Sequence, residues 1–131
     1  MSGHVICTNN PNVAAKYPGL SCFIKGSVTD VFTAVRDSIH KGARVISHPL
    51  SGSIKPNETP YKSVVIYDIT GPLDYKSLQI IEDAIDVIKR LPSKLHDYDA
   101  SILADFRIID LDHINSAISN INEVKLCYTT S

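Results

Sequence analysis

Short β-prone runs alternate with helix-opening signals across the first 47 residues, and no other feature restricts the fold of this chain so tightly. His4-Val5-Ile6-Cys7-Thr8 is an apolar run of the kind that enters a sheet. Asn9-Asn10-Pro11 follows it with an N-cap candidate and a proline at the first helical position, where the missing N–H costs nothing. Tyr17-Pro18-Gly19 stops that short helix, and residues 20–25 (LSCFIK) form the second strand. Gly26-Ser27 turns the chain, and Ser27-Val28-Thr29-Asp30 has capping-box spacing with Asp in place of Glu or Gln. Val28, Val31, Phe32, Val35 and Ile39 recur at helical spacing until His40-Lys41-Gly42 ends the helix by charge and by glycine. Residues 43–47 (ARVIS) are the third strand.

The pattern then changes. Residues 48–62 (HPLSGSIKPNETPYK) carry three prolines and no periodicity, which predicts a 15-residue ordered loop. Residues 63–69 (SVVIYDI) are a fourth strand, joined to the third without a helix. Asp74 opens a helix whose apolar face is Leu78, Ile81, Ile85 and Ile88, and Pro92 closes it. Beyond it the pattern predicts a shorter helix over residues 99–109 and another after Asp112, with Leu111, Ile114, Ile118 and Ile121 on one face. Strand–helix–strand units favour parallel neighbours with right-handed crossovers, while the helix-free joint permits an antiparallel pairing and could leave the fourth strand at an edge. The expected fold is one α/β domain over residues 1–131. It is a three-layer, Rossmann-like sheet of about four strands, mostly parallel with room for a mixed pairing, covered by helices.

Composition narrows the function classes. Thirteen Lys+Arg against 14 Asp+Glu give a net charge of -1, so the clustered cations that release counterions from nucleic acid are missing. No apolar run approaches the roughly 20 residues that span a bilayer, and MSGHVICTNN has neither the basic nor the apolar region of a signal peptide. Neither a nucleic acid nor a membrane is therefore an expected partner, and the cytoplasm is the expected compartment. Cys7 and Cys22 read as buried strand residues and Cys127 as a tail thiol, with no CxxC spacing among them. His4, His40, His48, His96 and His113 lack HxxxH or HxH spacing, so no metal site is expected. No GxGxxG or GxxxxGK[ST] pattern calls for a nucleotide, and no cofactor is expected. Glu82-Asp83-Asp86 and Asp97-Asp99 read as solvated surface. Core packing accounts for the amphipathic C-terminal segments, with a homodimer interface as the other reading.

Ligands of open α/β sheets sit beyond the carboxyl ends of the strands. Three such ends are Thr8-Asn9-Asn10, Lys25-Gly26-Ser27 and Ser47-His48-Pro49. The first two also open helices and would present free N–H groups to an anion, although ordinary helix capping by Asn10 and Ser27 explains each of them completely. The long loop adds His48, Ser51, Gly52, Ser53, Lys55, Asn57, Thr59, Tyr61 and Lys62: imidazole, hydroxyl, ammonium and amide groups with a glycine that lets the backbone approach a ligand. Thr8, Asn9, Asn10, Ser27 and these nine are the candidate ligand-binding residues. Were the chain an enzyme, His48 would be the acid or base, Ser51 or Ser53 the nucleophile and Lys55 the stabiliser of negative charge. GxSxG and SxxK spacing are both missing. Capping of the sheet or a homodimer contact is the structural alternative for the loop.

With Thr8-Asn9-Asn10-Pro11, Lys25-Gly26-Ser27, Val35-Arg36-Asp37, Ser77-Leu78, Asp105-Phe106-Arg107-Ile108-Ile109-Asp110 and above all the HPLSGSIKPNETPYK string, the chain resembles the GrdX-like proteins over nearly its whole length. Those are small products encoded beside glycine, sarcosine or betaine reductase systems of amino-acid-fermenting anaerobes. The resemblance implies a context rather than a reaction: amino-acid carboxylates, acetyl phosphate and selenoprotein redox partners. Two roles compete. The preferred one is a noncatalytic accessory or ligand-sensing protein that binds a small anionic metabolite or a glycine reductase subunit. The other is a small acyl or phosphoryl hydrolase or transferase using the loop of residues 48–62.

Overall fold

The computed structural model describes residues 3–52 and 54–129, with side chains through residue 121. The elements run β1 (His4–Thr8), α1 (Pro11–Lys16), β2 (Ser21–Phe23), α2 (Val28–His40), β3 (Arg44–Val45), β4 (Ser63–Tyr67), α3 (Tyr75–Arg90) and α4 (Ala100–Thr129). Three helices start where the sequence places a cap. Asn10 accepts from Asn12 N with Pro11 at the first turn, Ser27 and Asp30 form a complete capping box, and Asp74 accepts from Ser77 N.

The sheet order is β2-β1-β4-β3. β1 pairs parallel with β2 and antiparallel with β4, and β4 pairs antiparallel with β3. β1, β2 and β3 thus point one way, as their helical connections predict, and β4 alone runs against them. β4 is not at an edge. It lies between β1 and β3 with Ser63, Val64, Val65 and Ile66 all buried, and Val64 to Ile66 are the unbroken apolar run of a strand covered on both faces. The edges are β2 and β3, each only two or three residues long.

Alternation along β1 and β4 divides the core into two layers. Cys7, Val64 and Ile66 face α2 and α3 through Val28, Val31, Phe32, Val35, Ile39, Ile81, Ala84 and Ile85. Ile6 and Val65 face the other way, onto Val13 of α1 and Ile114 and Ile118 of α4. The result is a helix–sheet–helix sandwich, and its second helical layer brings α4 against the strand ends. Gly42 makes the α2–β3 turn with φ +117, and a Cβ there would lie 2.4 Å from Gly71 N, so no other residue fits.

Two further expectations change. Residues 99–109 and those after Asp112 form one helix, α4, since neither Gly nor Pro interrupts residues 100–129 and the polar Asp110 accepts from partners across the layer through Oδ2. Cys22 is exposed, because β2 is a short edge strand, while Cys7 is buried as expected. The Cys127 side chain lies outside the described residues. No helix among the described residues is long and apolar enough to cross a membrane.

Candidate functional site

With β1, β2 and β3 codirectional, their carboxyl ends share one edge of the sheet with the amino end of β4. The turns after β1 and β2, the long loop, and one face of α4 meet there. Thr8 Oγ1 lies 2.7 Å from Ser63 Oγ and accepts from Asn10 N. Asn9 ties three segments together: its Nδ2 donates to the carbonyls of Gly26 and Pro60, and its Oδ1 accepts from Lys62 N at 3.0 Å. Asn10 caps α1 and donates from Nδ2 to Arg107 O and Asp110 Oδ2 of α4. The polar atoms of Thr8, Asn9 and Asn10 are thus spent in building the frame. Ser27 is exposed and engaged with Asp30 in its capping box.

In front of that frame lies a cavity of about 400 Å³ between the loop and α4. Ser51, Gly52, Ile54, Thr59, Tyr61 and Lys62 line it from the loop side, and Phe106, Ile109, Asp110, Asp112, His113 and Ser116 from α4. Lys62 is 6% exposed and its Nζ donates to Ser51 O at 3.0 Å. Burial lowers its pKa from the ordinary lysine value, while the carboxylate of Asp110 pulls partly the other way. Ser51 Oγ lies 2.8 Å from His113 Nε2 and donates to His48 O at 2.7 Å. Gly52, at φ +114, passes beside both groups: a Cβ there would sit 3.7 Å from Lys62 Nζ and from His113 Cδ2. Tyr61 is held by Arg107, which donates to its hydroxyl at 3.0 Å and lies over its ring. Thr59 bonds the backbone of Tyr61 and fixes that bend.

The loop residues separate into two groups. Ser51, Gly52, Thr59, Tyr61 and Lys62 reach the cavity. His48 is exposed, its Nδ1 accepting from Leu50 N, and faces an adjoining space of about 510 Å³ that shares Ser51, His113 and Ser116 with the first. Lys55 is exposed and lines neither space, and Asn57 is buried against the α3–α4 connection, donating to Pro92 O. Ser53 lies outside the described residues. Asp110, His113 and Arg107 complete the site from α4 and were not among the sequence candidates. Their signal was a polar stripe at i, i+3 and i+6 running beside the apolar face of Leu111, Ile114 and Ile118. Among the described residues no group of three His, Cys, Asp or Glu side chains could hold a metal ion.

A family model described as GrdX-like protein matches residues 5–119, which includes every element from β1 to the middle of α4. No curated protein and no solved structure matches the chain.

Proposed function

The chain belongs to the GrdX-like protein family, and from that premise we propose a noncatalytic accessory or ligand-sensing protein of glycine and amino-acid reductase metabolism that binds a small anionic metabolite between the loop and α4. One observation carries the reading. Lys62 keeps a buried ammonium at the cavity wall with a single acceptor among the described residues, Ser51 O, for its three protons. Such a group is undersolvated, and its lowered pKa expresses that cost. A carboxylate or phosphate in the cavity would restore what burial removes, helped by the Tyr61 hydroxyl, which accepts from Arg107 and keeps its own proton to donate. The family setting supplies such anions, in a cytoplasmic compartment.

One contact favours a second reading, a small acyl or phosphoryl hydrolase or transferase: Ser51 Oγ within 2.8 Å of His113 Nε2. The pair differs from the one expected, since the His48 ring is engaged by Leu50 N instead. Against it, Ser51 Oγ donates to His48 O, and among the described residues no carboxylate orients the His113 ring.

A thermal-shift series with phosphate, acetate, acetyl phosphate, glycine, sarcosine and betaine, on wild type and Lys62→Met, separates the possibilities. Ligand at a hundredfold its Kd stabilises by about 2.7 kcal/mol. A rise in Tm with a carboxylate or phosphate that is lost in Lys62→Met supports the anion site. Ser51-dependent release of acetate or phosphate from acetyl phosphate would replace it by the hydrolase reading. No shift with any anion would transfer the role to a protein partner such as a reductase subunit, to be sought by pull-down.

A further inference from the structure

We propose that the ligand of this cavity is a free α-amino acid with an apolar side chain, its carboxylate held by Lys62 and its ammonium by Asp110. The proposal rests on the anion-binding reading above and deepens it. It starts from a conflict within the site. Lys62 and Asp110 both line the cavity, and Asp112 adds a second carboxylate at its exposed rim. A bare anion would lose to those carboxylates much of what it gains from the ammonium, whereas a ligand carrying both charges gains at each end.

The two residues are also free to act separately. They are not paired with each other: Lys62 Nζ donates to Ser51 O, and Asp110 accepts from Ser63 Oγ at 2.7 Å and from Asn10 Nδ2 at 3.0 Å. Both of those donors fall on Oδ2, so among the described residues no group engages Oδ1. Two ammonium protons of Lys62 and one carboxylate oxygen of Asp110 are thus left unengaged by the described residues and can serve a ligand. Ile54, Phe106 and Ile109 form the apolar part of the same wall, and a cavity of about 400 Å³ exceeds what acetate or phosphate fills. Opposite charges beside an apolar wall are the complement of an aliphatic amino acid.

The test is calorimetric titration of the wild-type protein with L-leucine, 4-methylpentanoate, which lacks the amine, and 3-methylbutylamine, which lacks the carboxylate. Leucine is expected to bind at least tenfold more tightly than 4-methylpentanoate, with 3-methylbutylamine weakest. In Asp110→Asn the ratio of leucine to 4-methylpentanoate should fall to about one, and Lys62→Met should bind neither. Equal binding of leucine and 4-methylpentanoate to wild type overturns the amino-acid assignment and leaves the anion site standing. If leucine, 4-methylpentanoate, acetate and phosphate all fail to bind, both readings fall. The ligand comparison on wild type needs no variant, so a folding defect in Asp110→Asn does not obstruct it.

Discussion

Asp110 joins α4 to the start of β4 and the cap of α1, and its removal should show as a specific loss of stability. It is 7% exposed on α4 and accepts from Ser63 at the start of β4 and Asn10 at the cap of α1. Hydrogen bonds to a charged group contribute about 1.5–3 kcal/mol each. Asp110→Ala removes two, but relief of a buried carboxylate offsets part of the loss. Ser63 retains Thr8 Oγ1 as a neighbour and Asn10 Nδ2 retains Arg107 O, which softens it further. We expect a net cost of about 2–3 kcal/mol for Asp110→Ala, and about half that for Asp110→Asn, which keeps an acceptor but loses the charge. Urea unfolding followed by circular dichroism measures both. A double-mutant cycle with Ser63→Ala should return a coupling of about 1–2 kcal/mol, since each partner acts through the other. A cost for Asp110→Ala within about 0.5 kcal/mol, the size of an ordinary surface substitution, or additivity with Ser63→Ala, would refute the reasoning.

Further outcomes follow from the same geometry. His48→Ala and Lys55→Ala, both at exposed positions, should change Tm little and leave anion binding intact, and a loss of binding in either would move the site along the loop. Because burial lowers the pKa of Lys62, the unfolded chain holds that proton more tightly, so stability should rise with pH from the lowered folded value up to about 10.5. The rise should be missing in Lys62→Met when the two unfolding profiles are compared. Burial, with smaller contributions from Cys22 and Asp68, pushes the Cys7 thiol up to about 12, so alkylation mapped by mass spectrometry should label Cys22 readily and Cys7 only on unfolding. Gly42→Ala places a methyl on the backbone of Gly71 at a φ that L residues avoid, and should cost more than about 2 kcal/mol by chemical denaturation.

Local chemistry made the framework legible. Asn10-Pro11, Ser27 with Asp30, and Asp74 each announce a helix start by a side chain that satisfies a nearby N–H, and those bonds form as written. The apolar repeat of α2 buries the residues it names. What stayed hidden depends on partners distant in sequence. SVVIY is equally good as an edge or a central strand until the long loop carries it back between β1 and β3. The same fold-back decides the site. His48 and Lys55 share the chemistry of His113 and Lys62, but the former pair ends in solvent while Lys62, one residue before β4, is drawn in beneath α4. Thr8, Asn9 and Asn10 stand at the strand end as expected, yet each is saturated by the groups that close the edge.

The most direct test of the central claim, that an anion is held between the loop and α4 at Lys62, is chemical-shift mapping on isotope-labelled protein titrated with acetate and phosphate. The account predicts saturable shifts concentrated on Ser51, Gly52, Tyr61, Lys62 and His113, with α3 and its exposed Glu82, Asp83 and Lys89 unmoved. Shifts scattered over surface lysines and linear in concentration, with Lys62 and His113 unaffected, would contradict it.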